Sequence, residues 1–534
     1  MQRGTGDRRP VVITGADLTI ADVEAVARDD VPAELDVHAR ERIEEAHQVI
    51  AELVAEGAVV YGVTTGFGDL ATTSIDPAMA GRLQENLLMS HAVGVGAPFD
   101  REVVRAMLLL RANTLALGHS GCRPLIVDRL LDFLRIGIHP VVPEQGSVGA
   151  SGDLAPLAHL ALPIVGRGKV EYGGHVVPSL VALREAGLEP LVLEAKEGLA
   201  LLNGTQMMSA VGALFLADAD RLVKTASVAA ALSVEALLGT DVAFAAAYQL
   251  TRPHPGQLTV AAELRHLLRD SGLQQSHHGH AHKVQDPYSL RCVPQVHGAV
   301  RDALDHLRRV LDIELNSATD NPLVFPGGGV IDVDAIATGG GRVISGGNFH
   351  GEPVALALDY AKVAVAELGS ISERRTALLV DSRLNGGLPP FLSHGSGLES
   401  GMMIYQYTAA ALVSEHKVLA HPASADSIPT SANQEDHVSM GSIAARHARA
   451  VLTGVERVLA IELVVAAQAL DLRRAALADE SGGSPEPGAG VAEAHARIRE
   501  HVAHLDRDRE ASADLAAATA LVHAGAFADL VEPV

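Results

Sequence analysis

The residues with the clearest chemical potential are Ala150-Ser151-Gly152, within the segment PEQGSVGASGDLAPLAHL at 143–160. Glycine reaches backbone dihedrals that are closed to other residues, so a loop of small residues can fold back on itself. The amide nitrogen of Gly152 can then reach the carbonyl carbon of Ala150. Ring closure with loss of water, and loss of the Ser151 hydroxyl, would leave an exocyclic methylene on a five-membered ring. That product is an electrophile, which none of the twenty ordinary side chains provides.

An Ala-Ser-Gly triplet alone is more often a simple turn before a helix, so the longer run GSVGASGDLAPLAHLAL carries the interpretation. This run resembles the cofactor loop of the aromatic amino acid ammonia-lyases and aminomutases. The resemblance extends from about residue 11 to about residue 475. It implies that Ala150, Ser151 and Gly152 form a 4-methylidene-imidazole-5-one group (MIO), with no external cofactor.

A second segment, YGVTTGFGDLA at 61–71, matches the weak G-x-G-x-x-A form of a dinucleotide fingerprint. The residues that follow lead into helices and not into a second strand, which disfavours a Rossmann unit. In the family this segment is a mobile loop whose tyrosine is the catalytic base, and Tyr61 matches it. A phenol needs a lowered pKa for that task, and the glycines would provide the hinge of a lid.

The pair Ser90-His91 stands at the predicted end of a helix. A lone histidine in an apolar run is usually structural. In the family, however, these positions line the pocket for the substrate ring, and the histidine-specific branch has Ser-His there. Some tyrosine aminomutases share the pair, so it supports histidine as the substrate without excluding tyrosine.

Two further segments carry polar residues that the resemblance assigns to the substrate. Asn203 in LLNGTQ matches an asparagine that bonds the substrate or the MIO carbonyl oxygen. In VQDPYSLRCVPQV, Arg291 would hold the α-carboxylate, with Tyr288 and Gln285 beside it. Arginine suits this role because its guanidinium can form two parallel hydrogen bonds to a carboxylate. Without the resemblance, an isolated arginine would be read as a solvated surface charge.

The long signature TAAALVSEHKVLAHPASADSIPTSANQEDHVSM at 408–440 resembles the histidine-specific branch most closely. Glu415 is predicted to be a buried carboxylate in mid-helix and a partner for an imidazole. Gln434 is the expected contact in the Asn-Gln-Glu loop. Asn348 and Phe349 match family positions near the MIO group, and Phe349 is expected to pack against the ring.

The resemblance therefore implies elimination of ammonia from L-histidine to give trans-urocanate. The MIO methylene would take up the amine, Tyr61 would remove the β-proton, and His91 with Glu415 would bind the imidazole. A route in which the MIO group attacks the ring stays open. A tyrosine ammonia-lyase or tyrosine 2,3-aminomutase is the alternative within the family.

Other classes fit less well. The GSSxMPxKxN loop of fumarase and argininosuccinate lyase relatives is absent, and Gly149 to Asp153 does not match the G-x-S-x-G of a serine hydrolase. A non-catalytic helical scaffold would have no reason to combine these residues. The four histidines at 277–282 could bind a metal adventitiously, but no second ligand cluster accompanies them, so we predict no metal site.

Helical periodicity predicts the elements that position these residues. Short amphipathic helices are expected first, and a hairpin is expected at 166–178. Long tracts follow at 206–238, 293–316, 353–381, 401–421 and 436–474. The run VEALLGTDVAFAAAYQL is apolar nearly all round, which predicts a helix buried in a bundle or at a subunit contact. The glycine-bounded insert at 327–343 is expected to be a surface excursion.

These elements predict an all-α fold, a long-helix bundle of the fumarase/aspartase-like architecture. Residues 1–205 would form an N-terminal region with the lid loop and the MIO loop, and residues 206–534 the long-helix bundle with C-terminal helices. The family assembles as homotetramers whose active sites draw on several subunits, so a homotetramer is expected here.

Composition narrows the functional classes. The chain of 534 residues has 48% hydrophobic residues, 3% aromatic residues and a formal net charge of −23. That charge argues against nucleic-acid binding, which requires a basic footprint. No apolar span long enough for a membrane helix is found, and the N-terminus is charged where a signal peptide would be apolar. Two cysteines give no disulfide framework, so a cytoplasmic location is expected.

Overall fold

A computed structural model describes residues 9–58, 60, 62, 65, 75–76, 79–278, 284–327, 342–395, 397–478 and 483–531. Helices dominate this part of the chain, as the all-α prediction required. In chain order they are α1 (Ile20–Arg28), α2 (Val37–Ala55), α3 (Ala80–His91), α4 (Arg101–Ala116), α5 (Pro124–Ile136), α6 (Leu154–Ala161), α7 (Ser179–Glu185), α8 (Glu197–Leu202), α9 (Gln206–Ala236), α10 (Ala246–Gln249), α11 (Pro255–Leu267), α12 (Gly272–His277), α13 (Tyr288–Arg291), α14 (Val293–Glu314), α15 (Glu352–Val380), α16 (Met403–Leu419), α17 (Gly441–Ala476), α18 (Ala489–Arg499) and α19 (Ser512–His523).

The strands are short and pair locally. They are β1 (Val11–Ile13), β2 (Ala33–Leu35), β3 (Val95–Pro98), β4 (His139–Pro140), β5 (Pro143–Gln145), β6 (Lys169–Tyr172), β7 (His175–Pro178), β8 (Leu323–Val324) and β9 (Val343–Ile344). β1 and β2 pair in parallel; β3 with β5, β4 with β6, β6 with β7, and β8 with β9 pair antiparallel. The hairpin predicted at 166–178 is confirmed as β6 and β7, in which Tyr172 faces His175.

The helix ends follow from local sequence. Thr19 and Asp22 form a capping box at the start of α1, which satisfies backbone N–H groups that have no partner within the helix. The carboxylate of Asp36 accepts hydrogen bonds from the backbone N–H of His38 and Ala39 and so begins α2. α5 ends at Gly137, whose φ of 82° is the left-handed conformation that glycine adopts without strain.

The described residues form two compact units that interleave along the sequence. The first is formed by the described residues of Met1–Ala217, Leu307–Asp359 and Pro422–Arg446, and the second by those of Asp218–His306, Tyr360–His421 and His447–Val534. The long helices α9, α14, α15 and α17 each contribute residues to both units. Neither unit is one continuous segment. The predicted division of the chain at residue 205 stays a prediction.

The predicted long helical tracts are confirmed as α9, α14, α15, α16 and α17. The expectation of a continuous helix through 234–250 is wrong, because α9 ends at Ala236. Leu238 adopts a left-handed φ of 52° after the last turn of α9, and Gly239 turns back to bond the carbonyl of Val234. Beyond this break, Val242 and Tyr248 are exposed. Apolar composition predicted one helix across this run, but the Leu238-Gly239 turn ends it.

Among the described helices, none combines the length and hydrophobicity that crossing a bilayer requires. Of the expected insert at 327–343, residues 328–341 lie outside the described part of the chain.

Candidate active site

The loop that carries Ser151 is held in a tight turn by its glycines. Gly149 and Gly152 have φ values of 71° and 74°, and the two residues face each other in an isolated β-bridge. A Cβ atom on Gly152 would clash with the carbonyl oxygen of Gly204, and one on Gly149 would clash with the hydroxyl of Ser439. Both positions therefore require glycine for space as well as for backbone conformation.

Two serines brace this loop from the sides. The Ser147 hydroxyl donates to the carbonyl oxygen of Gly152 at 3.1 Å and accepts from the Gly149 N–H at 3.0 Å. The Ser439 hydroxyl donates to the Gly149 carbonyl oxygen at 3.1 Å. Ala150 packs in a small apolar cluster that includes Val438. The ends of the tripeptide are thus clamped on both sides.

A buried carboxylate lies directly after the loop. Oδ2 of Asp153 accepts the backbone N–H groups of Met207 and Met208, both at 2.9 Å, in the first turn of α9. The side chain is fully buried, and this burial raises the pKa of Asp153 to about 7. The electropositive helix N-terminus and the two hydrogen bonds favour the ionised form and partly oppose that rise.

A buried arginine supports the same region. Arg111 on α4 is fully buried and donates from Nη1 to the carbonyl oxygen of Asn203 at 2.8 Å. Burial lowers the pKa of Arg111 to about 10, so the guanidinium keeps its charge at neutral pH. Our reading of the sequence missed this residue, because an arginine within the apolar run REVVRAMLLLRANTLA carries no signal of a site.

A cavity of about 860 Å³ opens beside the loop within the first unit. It brings together many of the residues predicted from the sequence, namely Ser90, His91, Ala150, Ser151, Asn203, Phe349 and Gln434. Its wall also includes polar residues that were not selected as site residues, namely Asn86, Asn321, Ser345, His350, Glu435, Asp436 and His437. Gly152 itself is buried and does not line the cavity, because the backbone of Gly204 packs against it.

His91 is the cavity residue best suited to bind a polar ring. Its Nδ1 lies 2.9 Å from the carbonyl oxygen of Leu87 and 3.1 Å from the Ser90 hydroxyl. Burial lowers the pKa of His91, with the charge of Glu435 acting in the opposite sense. A neutral ring must donate from Nδ1 to a carbonyl oxygen, so this hydrogen bond assigns Nε2 as the acceptor.

Asn203 is fixed by its neighbours. Its Nδ2 donates to the carbonyl oxygen of Asn321 at 2.9 Å and lies 3.3 Å from Asp320, which pairs with the fully buried Lys196 at 2.7 Å. Oδ1 of Asn203 is buried and has no hydrogen-bond partner among the described residues. Because an unpaired buried acceptor is costly, a hydrogen bond donated to it by a ligand would stabilise the bound state.

The segment that carries Gln434 and Glu435 follows an unusual turn. Ser431, Ala432 and Asn433 all have left-handed φ values, 50°, 53° and 68°. Non-glycine residues pay a steric cost there, and such strain often accompanies functional loops. Backbone hydrogen bonds between Thr430 and Glu435, 2.9 Å and 3.3 Å long, close the turn.

Not all predicted residues reach the cavity. Tyr61 lies outside the described residues, and Asn348 is exposed and is not among the lining residues. Glu415 belongs to the second unit and is exposed in the single chain, so its predicted burial is not met within one chain. Neighbouring residues of a helix point about 100° apart, and α16 buries His416 in place of Glu415.

The proposed carboxylate-binding residues lie together in the second unit. Arg291 donates from Nη2 to Oε1 of Gln285 at 2.9 Å, and its guanidinium lies 4.7 Å from the ring centroid of Tyr288. Tyr288 is 71% exposed. The three side chains form one polar group on an exposed segment, and none of them lines the cavity.

One histidine cluster could hold a metal ion. Ligand atoms of His350, Glu352 and His437 lie within 4.8 Å of one another, and the two imidazole rings stack with centroids 5.8 Å apart. The sequence reading overlooked this group because His437 is 87 residues away from His350 along the chain. Of the histidine-rich segment that was considered, His280 and His282 lie outside the described residues.

The sequence profile of the aromatic amino acid lyase family matches residues 18–500. The histidine ammonia-lyase of Gloeobacter violaceus is 52% identical over 522 residues, covering 98% of this chain and 97% of that protein.

Solved structures agree in fold. The histidine ammonia-lyase of Trypanosoma cruzi has a TM-score of 0.87 at 42% identity and covers 98% of this chain and 95% of its own. The tyrosine aminomutase of Streptomyces globisporus has a TM-score of 0.89 at 37% identity, with 98% of both chains covered.

Proposed function

This chain belongs to the aromatic amino acid lyase family, and from that premise we propose that it eliminates ammonia from L-histidine to give trans-urocanate. The observation that carries the proposal is that Ser151 and the pair Ser90-His91 line the same cavity. Curated relatives named histidine ammonia-lyase, at 47–52% identity over nearly the full chain, support the same activity.

The proposal includes an MIO group formed from Ala150, Ser151 and Gly152. The residues present fit such a group, because Gly152 and Gly149 have no room for a Cβ atom and the loop is clamped at both ends. When formed, the group supplies an electrophile that makes the departure of ammonia easier. No external cofactor is required.

The substrate imidazole is bound through its polar atoms. His91 offers Nε2 as an acceptor for an imidazole N–H, and its orientation is held by the hydrogen bond to Leu87. A phenyl ring has no N–H to offer, so it would leave this acceptor unpaired, and buried unpaired groups produce strong discrimination. Glu415 is proposed as the second partner of the imidazole, and Gln434, Asn348 and Phe349 as further contacts.

The remaining steps depend on binding and proton transfer. Arg291 grips the α-carboxylate with the help of Tyr288 and Gln285, which orients the Cβ–H bond. Tyr61 removes the β-proton. The buried Oδ1 of Asn203 accepts a hydrogen bond from the substrate amine.

We further propose that the active protein is a cytoplasmic homotetramer whose active sites combine residues of several subunits. Glu415 and Tyr288 are exposed in the single chain, and neither lines the cavity, which a contribution to a partner's site would explain.

A tyrosine ammonia-lyase or tyrosine 2,3-aminomutase is the second candidate. The structural similarity to a tyrosine aminomutase, with a TM-score of 0.89, favours keeping it. Purified protein should be incubated separately with L-histidine, L-tyrosine and L-phenylalanine while near-ultraviolet absorbance is followed. We expect a rise with histidine alone. A rise with tyrosine alone would favour a tyrosine ammonia-lyase, and a β-amino acid formed from tyrosine without such a rise would favour the aminomutase.

The Ser151→Ala variant tests the chemistry itself. Without the hydroxyl there is no water to lose from this side chain, so we expect the methylene to be absent and most activity to disappear. Intact mass spectrometry should find wild-type protein lighter than its sequence by two water molecules. Turnover near the wild-type rate in Ser151→Ala would contradict the proposal.

A further inference from the structure

The hydroxyl of Ser151 has one carboxylate partner among the described residues. Ser151 donates from Oγ to Oε1 of Glu435 at 3.2 Å, although the two residues are 284 positions apart in the sequence. Both side chains are half-buried and line the cavity. This contact is unused by the reaction described above, because the Ser151 hydroxyl exists only before the electrophile has formed.

Several interactions hold Glu435 in this position. Its Oε2 accepts a hydrogen bond from the Thr430 hydroxyl at 2.7 Å, so that each carboxylate oxygen has a separate partner. Its backbone is bridged to Thr430 in both directions across the left-handed turn at 431–433. A strained turn that is closed so firmly points to a requirement for the placement of the residues that follow.

The other acids near the loop are engaged differently. Asp153 is buried behind the loop and uses Oδ2 to accept two N–H groups of α9. Asp436 lines the same cavity as Glu435 but makes no hydrogen bond with Ser151. Among the described residues, Glu435 is therefore the carboxylate in position to act on Oγ.

We propose that Glu435 is the proton-transfer residue for dehydration of Ser151 during self-formation of the electrophile, an inference that rests on the proposed function. In this step the Cα–H and Cβ–Oγ bonds of Ser151 break and a Cα=Cβ double bond forms. The carboxylate takes up the proton lost from Cα, and the carboxyl group gives a proton to Oγ as it departs. One water molecule leaves, and Glu435 ends the step as the carboxylate with which it began.

The physical reason is that hydroxide is a poor leaving group. Protonation of the departing oxygen by a positioned acid accelerates such steps by about 10² to 10⁴. Because Oε2 is held by Thr430, the hydrogen bond to Oγ keeps one geometry, and this pre-organisation adds to the effect.

The test follows dehydration directly and does not use enzyme activity. Full-length wild type and Glu435→Gln are made by pulsed cell-free synthesis, samples are denatured at intervals, and the peptide containing residues 150–152 is weighed by mass spectrometry. The glutamine is isosteric and keeps a hydrogen-bonding group, but it cannot carry a proton. We expect loss of the water that derives from the Ser151 hydroxyl to be at least about tenfold slower in this variant.

Further variants separate proton transfer from structure. Asp436→Asn removes a charge from the same cavity and is expected to dehydrate at the wild-type rate. Glu435→Asp keeps the carboxyl group and should recover part of the rate. Thr430→Val keeps the carboxyl group of Glu435 but removes the hydrogen bond to Oε2, so it should slow dehydration less than Glu435→Gln. If the glutamine variant does not fold, Thr430→Val tests the proposal in its place.

The outcomes are distinct. Equal dehydration rates in Glu435→Gln and wild type, with the proposed function intact, would overturn the assignment of Glu435. Equal slowing in Asp436→Asn and Glu435→Gln would also overturn it, because a general charge effect would then be responsible. If wild-type protein keeps both waters, the proposed MIO chemistry fails, and the role of Glu435 fails with it.

Discussion

Gly152 lies where the loop that carries Ser151 passes the carbonyl oxygen of Gly204. The Asp153 N–H donates to that oxygen at 2.7 Å, so the two segments are in direct contact. With a φ of 74°, the residue also sits in the left-handed region. A side chain at 152 is therefore opposed both by its own backbone and by an immovable neighbour.

The Gly152→Ala variant should lose stability and fail to dehydrate. The left-handed conformation alone costs an L-residue about 1–2 kcal/mol, and the clash with Gly204 adds to this cost. Gly173→Ala is a matched control, because Gly173 has a similar φ of 58° but a Cβ atom added there would meet no other atom within 4 Å. Thermal unfolding and intact mass would compare the two. Equal midpoints would show that backbone strain alone accounts for the loss.

At the scale of elements, Glu235 joins the end of α9 to the start of α18. Its carboxylate accepts the N–H of Gly488, the N-cap of α18, at 3.0 Å and 3.1 Å. The side chain is fully buried, and burial raises the pKa of Glu235 to about 7, opposed by hydrogen bonds from Ser271 and Gly488. This contact connects two helices of the second unit through one titratable group.

The titration of Glu235 predicts a dependence of stability on pH. Because the pKa in the folded state is raised, the contribution to stability is fully present below the unfolded pKa and is lost as pH rises through about 7. We expect Glu235→Gln, which cannot ionise, to gain stability relative to wild type between about pH 4.5 and 7. At about 1.4 kcal/mol per pH unit over this range, the upper limit of the gain is about 3.5 kcal/mol.

Urea unfolding midpoints across that pH range would measure the difference. Glu493→Gln removes an exposed carboxylate from α18 itself and serves as the control. A constant difference between Glu235→Gln and wild type at all pH values would contradict the prediction.

At the scale of the whole molecule, exposed apolar side chains lie on the same helix as Glu415, a predicted site residue that does not line the cavity. On α16, which carries Glu415, Ile404 is 54% exposed, Tyr407 62% and Val418 70%. Apolar residues grouped on one element indicate a contact surface for another chain. An assembly that covers α16 would also place Glu415 in an interface, in agreement with the proposed homotetramer.

A complementation experiment tests the shared active site. Ser151→Ala and Arg291→Lys should each be nearly inactive alone. If Ser151 and Arg291 act in one site but come from different subunits, mixed tetramers formed at equal ratio should contain about a quarter of intact sites. Co-expression with separately tagged chains and an absorbance assay would measure this recovery. No recovery in verified mixed tetramers would assign both residues to the same subunit.

Local sequence was sufficient for much of the fold, because helix periodicity and capping are short-range properties. The long helices, the 166–178 hairpin and the turn at Gly137 follow from residues within a few positions of one another. The break after Ala236 did not, because apolar composition favours burial in any helix while the turn at Leu238-Gly239 depends on backbone conformation. Helix phase likewise decides which of two neighbours faces inward, so the single chain buries His416 of α16 and leaves Glu415 exposed.

The sequence by itself determined the family and identified the loop that is proposed to form an electrophile, because both depend on contiguous residues such as GSVGASGDLAPLAHLAL. Only the tertiary structure decided what surrounds that loop. The contact of Ser151 with Glu435, the support of Asn203 by Arg111 and the closure of Gly152 against Gly204 join distant segments. Packing in three dimensions selects such partners by shape and by hydrogen-bond satisfaction, and neither quantity is a property of spacing along the chain.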